Sequence, residues 1–182
     1  MKCLAIAVLT AAVGTVFALP AQAITKYHDL EAGPVARCQS AASSYDASLS
    51  HKALAVQNVG TKSIFVTCAF EFEHIADALN PDLPLGFYKL SVWFMNHAAA
   101  NLTVSCTAVT GHETGSNQYV SKSVLIAPGV EQNIDWNPED FPLGFDDGGG
   151  VVAITCTLPP GAAVNDTHMV STFDDATDPP PA

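Results

Sequence analysis

Four segments of this chain alternate apolar and polar residues with a period of two, and that pattern constrains the fold most. In Ser63–Phe70 the residues Ile64, Val66, Cys68 and Phe70 share one face. Tyr88, Leu90, Val92 and Phe94 do the same in Phe87–Met95, and Leu102, Val104, Cys106 and Ala108 in Asn101–Val109. In Val151–Leu158 the set is Val152, Ile154, Cys156 and Leu158. Side chains alternate across a strand, so each segment reads as a half-buried β-strand. Weaker strands are expected at Ala53–Val59, Gln118–Ala127, Glu131–Trp136 and His168–Phe173. Turn chemistry separates them, notably Asn58-Val59-Gly60, Asn80-Pro81, Pro128-Gly129 and Pro159-Pro160-Gly161. The best helical stretch, His74 to Leu79, is stopped by Asn80-Pro81 after one or two turns. About eight short strands with regular turns predict an all-β fold. The expected form is an antiparallel β-sandwich of jelly-roll or Ig-like kind rather than a helical one.

The first 23 residues read as an address. Met1-Lys2 gives a positive start, Leu4 to Leu19 is nearly unbroken apolar sequence, and Ala21-Gln22-Ala23 supplies small residues for cleavage. That order predicts a secretory signal peptide over 1–23 and a secreted or periplasmic protein. No later run is long and apolar enough to predict a transmembrane segment in the mature chain. The domain is expected over 24–173, with the chain entering the fold near Val35. An acidic, proline-rich tail over 174–182 is expected to be disordered.

Removal of Cys3 with the leader leaves Cys38, Cys68, Cys106 and Cys156. An even number in an exported chain predicts two disulfides. No cysteine has the close neighbour that a zinc site would use. Of the three connectivities, sequential pairing is favoured: Cys106 and Cys156 lie in similar strand contexts, which leaves Cys38 to Cys68. Three of the cysteines share a local pattern, Val66-Thr67-Cys68-Ala69, Val104-Ser105-Cys106-Thr107 and Ile154-Thr155-Cys156-Thr157. It turns sulfur inward and hydroxyls outward.

An early cysteine, then Asn58-Val59-Gly60-Thr61-Lys62-Ser63-Ile64-Phe65-Val66-Thr67-Cys68, then Leu102-Thr103-Val104-Ser105-Cys106, then Val152-Ala153-Ile154-Thr155-Cys156 resembles a largely uncharacterised group of exported bacterial β-sandwich proteins. The resemblance covers roughly residues 35 to 173. It implies fold and export, and carries no catalytic residue across.

The chain has 18 acidic and 7 basic residues, a net charge of −11. That excess argues against a nucleic-acid partner, because phosphates are held by lysine and arginine. No nucleophile elbow, zinc-protease helix or phosphate loop is present, so no catalytic residue is assigned. The expected function is a non-catalytic binding or structural role at the cell envelope or outside the cell, with a glycan or an envelope protein as partner. The binding platform would be Trp93, with Lys89 on the same strand face. Trp136 is expected to cap the core at the end of its strand. Two alternatives follow from the acidic residues. Glu71 and Glu73 could act as paired carboxylates of a carbohydrate-active hydrolase. Asp146 and Asp147, before three glycines, could bind Ca²⁺ in a calcium-dependent glycan-binding module, with Glu139 and Asp140 as further contributors.

Overall fold

The computed structural model describes residues 24–70, 86–111, 117–141 and 151–175. The chain begins with β1 (Ile24–Ala32), a short helix α1 (Pro34–Arg37), β2 (Cys38–Ser40) and a 3₁₀ turn over Ser43–Ser48. There follow β3 (Leu49–Lys52), β4 (Ala55–Asn58), β5 (Ile64–Phe70), β6 (Gly86–Asn96), β7 (Leu102–Gly111) and β8 (Gln118–Ile126). After β9 (Glu131–Trp136) and a 3₁₀ turn over Pro138–Asp140 come β10 (Val151–Leu158) and β11 (Ala162–Asp175). One sheet has the order β2-β5-β10-β7-β8. The other runs β3-β4-β11-β6-β9, with β1 also paired to β11. Every described pairing is antiparallel. The molecule is the expected antiparallel sandwich, with eleven described strands rather than about eight.

Period two becomes burial directly. β5 alternates buried and more open residues along its whole length. Val66, Phe70, Val104, Ile154 and Leu158 from one sheet meet Leu90, Val92, Phe94, Ile134 and Met169 from the other in a single core. Each fully buried side chain of this size contributes about 1.5–3 kcal/mol. The cysteines sit on the same inner faces. Cys38 bonds to Cys68 and Cys106 to Cys156, as sequential pairing predicted. Both bridges join residues directly opposite in register, across β2/β5 and β7/β10. They therefore staple neighbouring strands of one sheet and do not link the two sheets. They close sequence separations of 30 and 50 residues, each contributing about 3–4 kcal/mol in the chain-entropy account.

Three strands depart from expectation. β1 pairs along all nine residues with Thr167–Asp175, so the chain enters the sheet well before Val35. Its sequence, ITKYHDLEA, shows no apolar face of the kind that marked the other strands. Backbone ladder bonds ask nothing of the side chains. The same pairing carries β11 through Asp174 and Asp175, two residues beyond the boundary at 173. β2 and β3 have three and four residues, too few to show a period. The expected signal peptide over 1–23, the helical stretch His74–Leu79 and the tail beyond 175 lie outside the described residues.

The two sheets are tied at one end by a pair of equivalent asparagines. The Asn58 amide nitrogen donates to Lys62 O at 2.9 Å and to Leu158 O at 2.8 Å, while its Oδ1 accepts the Gly60 N–H at 2.9 Å. Asn96 repeats the geometry, donating to Ala100 O at 2.8 Å and Ile126 O at 2.9 Å and accepting from Ala98 N–H at 2.8 Å. In both, the side chain closes its own turn and reaches the end of a strand in the opposite sheet. Gly161 links the two: its N–H donates to Asn58 O and its carbonyl accepts from His97 N–H, each at 2.9 Å. It holds φ at 83°, and a Cβ there would meet Ala98 at 3.1 Å, so glycine is required.

The long edge strand β8 is protected. Lys122 Nζ donates to Asp135 O at 2.8 Å and pairs with Asp140 Oδ2 at 2.6 Å. The indole N–H of Trp136 occupies Val120 O at 3.0 Å. A lysine turned toward the neighbouring sheet is a known guard against edge-to-edge pairing. Lys122→Val would remove the one charge of β8 and leave an edge strand with no guard of this kind. The expected result is folding stability changed by no more than about 1 kcal/mol, with faster aggregation on mild heating, followed by light scattering.

Candidate functional site on the outer face of the six-stranded sheet

The pleat of β6 points Leu90, Val92 and Phe94 into the core and Lys89, Ser91, Trp93 and Met95 away from it. Register then decides what stands beside each. Trp93 lies between Asn133 of β9 and Asp166 of β11. Ser91 lies between Asp135 and His168, and His168 is opposite Glu31 of β1. A bulge in β11 between Val164 and Asp166 sets this arrangement. It absorbs Asn165, so that Asp166 rather than Asn165 stands opposite the indole, and the buried Thr167 follows. Asn165 instead donates to Glu131 Oε1 at 3.1 Å.

Trp93 is half-buried, neither core nor fully open. Its indole is held by the sheet and still meets solvent. Asp166 Oδ1 accepts the Thr167 N–H at 2.7 Å, which fixes the orientation of that carboxylate. Trp136, by contrast, is fully buried and closes the core, in keeping with the capping role expected of it.

Asp135 organises the next row. Its Oδ1 accepts from Ser91 Oγ and from Asn133 Nδ2, both at 2.6 Å, and its Oδ2 lies 3.0 Å from Lys89 Nζ. Burial alone would raise its pKa, but the hydrogen bonds from Ser91 and Lys89, with the lysine charge, outweigh that and hold it below the usual carboxylate range. Asp140 behaves alike: burial raises it, and the bonds from Lys122 and the Asn137 N–H lower it further. The stabilisation from both is complete above the ordinary carboxylate range and is lost as pH falls through the depressed values.

Lys89 shares the outward face of β6 with Trp93. It stands two rows from Trp93, about 14 Å along the strand at the backbone, and its ammonium is engaged by Asp135. The polar groups beside the indole are Asn133 and Asp166. Both were missed from sequence because only the register and the bulge bring them there. The row of Asp135, Ser91 and His168 has the residue types of a hydrolase. However, Ser91 is buried and gives its one proton to Asp135, so the imidazole is not its base.

Asp140 is occupied by Lys122 and by the Asn137 N–H at 2.7 Å, where it caps the 3₁₀ turn. Among the described residues no group of three or more histidine, cysteine, aspartate or glutamate side chains could hold a metal ion. Asp146 and Asp147, proposed for Ca²⁺, and Glu71 and Glu73, proposed for hydrolysis, lie outside the described residues. No described helix is long and apolar enough to cross a membrane.

No protein-family model and no curated protein matches the sequence. Among solved structures, the chain is similar to a family 11 carbohydrate-binding module from Clostridium thermocellum in complex with a β-1,3-1,4-mixed-linked tetrasaccharide. The identity is 8%, the TM-score 0.34, and the match covers 90% of this chain and 94% of that one. A second is TmCBM61 in complex with β-1,4-galactotriose, at 14% identity and a TM-score of 0.30, covering 80% and 86%. A third is the CBM22-1–GH10 part of xylanase 10B from Clostridium thermocellum, complexed with xylohexaose. There the identity is 16%, the TM-score 0.34, and the coverage 70% of this chain and 22% of that one. None of them transfers a site residue to this chain.

Proposed function

We propose that this is an exported, non-catalytic protein that binds an uncharged glycan on the outer face of its six-stranded sheet. The observation that carries the reading is Trp93, a half-buried indole between Asn133 and Asp166. A sugar presents an apolar ring face and a rim of hydroxyls. The indole offers area for the first, and the flanking amide and carboxylate offer donors and acceptors for the second. The net charge of −11 and the carboxylates on this face favour an uncharged ligand over an acidic one. Two buried disulfides and the leader-like first 23 residues support a secreted or periplasmic location.

Affinity electrophoresis through gels containing neutral polysaccharides tests the reading. Retardation of the wild type is expected on at least one of them. Trp93→Ala should weaken it by about thirtyfold or more, as when a central aromatic anchor is removed. Because the ring is only half-buried, the same change should cost about 1–2 kcal/mol of stability, well short of a core tryptophan. A wild type that migrates freely through every gel, or a Trp93→Ala protein that is retarded equally, would overturn the assignment.

A further inference from the structure

The opposite face of the molecule has a different chemistry. The motif that turns cysteines inward in β5, β7 and β10 turns hydroxyls outward, and register aligns them. Thr67, Thr155, Thr107 and Ser121 form one unbroken row across β5, β10, β7 and β8. They bond in pairs, Thr67 Oγ1 to Thr155 Oγ1 at 3.0 Å and Thr107 Oγ1 to Ser121 Oγ at 2.8 Å. Phe65, Thr157, Ser105 and Ser123 make the row on one side, and Ala69, Ala153, Val109 and Tyr119 the row on the other. None of these twelve outward side chains is charged, in a chain with 25 charged residues, 18 acidic and 7 basic.

From this face we infer that the protein forms a two-fold dimer, with the outer surface of the five-stranded sheet packed against the same surface of a second copy. Two chains of charge −11 repel, and an uncharged face lets them meet without bringing carboxylates together. Four of its seven serine and threonine hydroxyls already bond in two pairs, so one O–H of each pair is satisfied before the face is dehydrated.

A two-fold axis lying in the face, parallel to the strands and between β10 and β7, puts β5 of one copy over β8 of the other. Each row then meets its own counterpart. Phe65, 46% exposed, comes over the partner's Ser123, and Tyr119, 66% exposed, over the partner's Ala69. Large side chains meet small ones at both corners, and the hydroxyl rows meet in the middle. A hollow of about 340 Å³ lies beside Ala69, lined by Ala36, Arg37 and Gln39. It is a receptacle for the phenol ring, while Phe65 is backed by Tyr45 at 6.2 Å between ring centroids. Self-complementarity of this kind is what an isologous interface requires.

Four strands about 4.8 Å apart and eight residues of about 3.4 Å each make a plane of roughly 520 Å² before surface relief is counted. Side-chain relief brings the accessible area toward the roughly 800 Å² per partner of a stable complex.

Sedimentation velocity of the full chain from dilute to concentrated solution tests this. The expected result is a reversible transition to twice the mass of one chain. Ala69→Arg fills the hollow and Tyr119→Asp removes the ring and adds charge. Each should weaken association by about thirtyfold or more while leaving the far-ultraviolet spectrum unchanged, since both positions face outward. Leu54→Asp, at a hairpin tip away from this face, should leave the dimer intact. A wild type that stays monomeric at every concentration overturns the inference, as does a dimer indifferent to both Ala69→Arg and Tyr119→Asp. Trp93→Ala should not alter the mass, so failure here and failure of glycan binding are read separately.

Discussion

Trp136→Ala is expected to lower the unfolding free energy by about 4–5 kcal/mol. Truncating a core tryptophan costs about 3–5 kcal/mol through lost burial and the cavity left behind. Trp136 is fully buried opposite Leu90, among the largest side chains of the core. Its indole N–H also satisfies Val120 O on the edge strand, and leaving a carbonyl without its donor adds about 1 kcal/mol. A loss of that size is a large part of the 5–15 kcal/mol available to a typical domain, and for about 180 residues it lowers the thermal midpoint by roughly 10 °C or more. Trp136→Phe keeps most of the apolar volume and loses the donor, so it should cost about half as much. Urea titrations of the two variants measure both. An alanine variant within about 1 kcal/mol of the wild type would show that the pocket collapses around the gap, contrary to this account.

The difference between the two tryptophans shows what could be read before the structure. Period two identified the central strands because β5, β6, β7 and β10 each bury one face against the opposing sheet. The cysteine positions on those faces were enough to expect the observed pairing. Trp136 ends a strand whose other inward residue is Ile134, so its place at the end of the core follows from the same alternation. Trp93 lies on the other parity, and parity says only that it faces away from the core. What stands beside it depends on how β9 and β11 slide along β6. That register is set in part by the bulge at Asn165, where Asn165-Asp166 interrupts the strand formers without saying which residue is the extra one. β11 itself was legible only from His168 onward. Its first residues, Ala162, Ala163 and Val164, are all buried and do not alternate. The outer hydroxyls were visible as a motif, yet their alignment into rows needed the ladder of four strands. Local patterns reveal faces. Neighbours across strands require the fold.

Asn96→Asp is expected to be more destabilising than Asn96→Ala at neutral pH, although it is the closer match in shape. Nothing in the local sequence around Asn96, followed by histidine and three alanines, marks it as important. Its role lies in partners fixed by the fold, above all the carbonyl of Ile126 in the opposite sheet. The amide sends both protons to carbonyls and accepts one N–H, and the side chain is fully buried. Alanine removes these bonds and strands two carbonyls and the Ala98 N–H, at about 1–3 kcal/mol for each buried group that finds no water. The ionised aspartate goes further: it brings oxygens against the Ala100 and Ile126 carbonyls and buries a charge with no cation to pair it. Burial must raise the pKa of the new carboxyl above its unfolded value near 3.9. The penalty is therefore full above the raised folded value and recedes as pH falls toward the unfolded one, where the protonated group can again donate to one carbonyl. Chemical unfolding of both variants between neutral and mildly acid pH should show the aspartate form overtaking the alanine form as protons are added. Asn58, bonded in the same way to Leu158 in the other sheet, should show the same order, and exposed Asn101 should show none of it. If the two Asn96 variants are equally stable at neutral pH, or their difference does not vary with pH, the amide is not holding the sheets together as described.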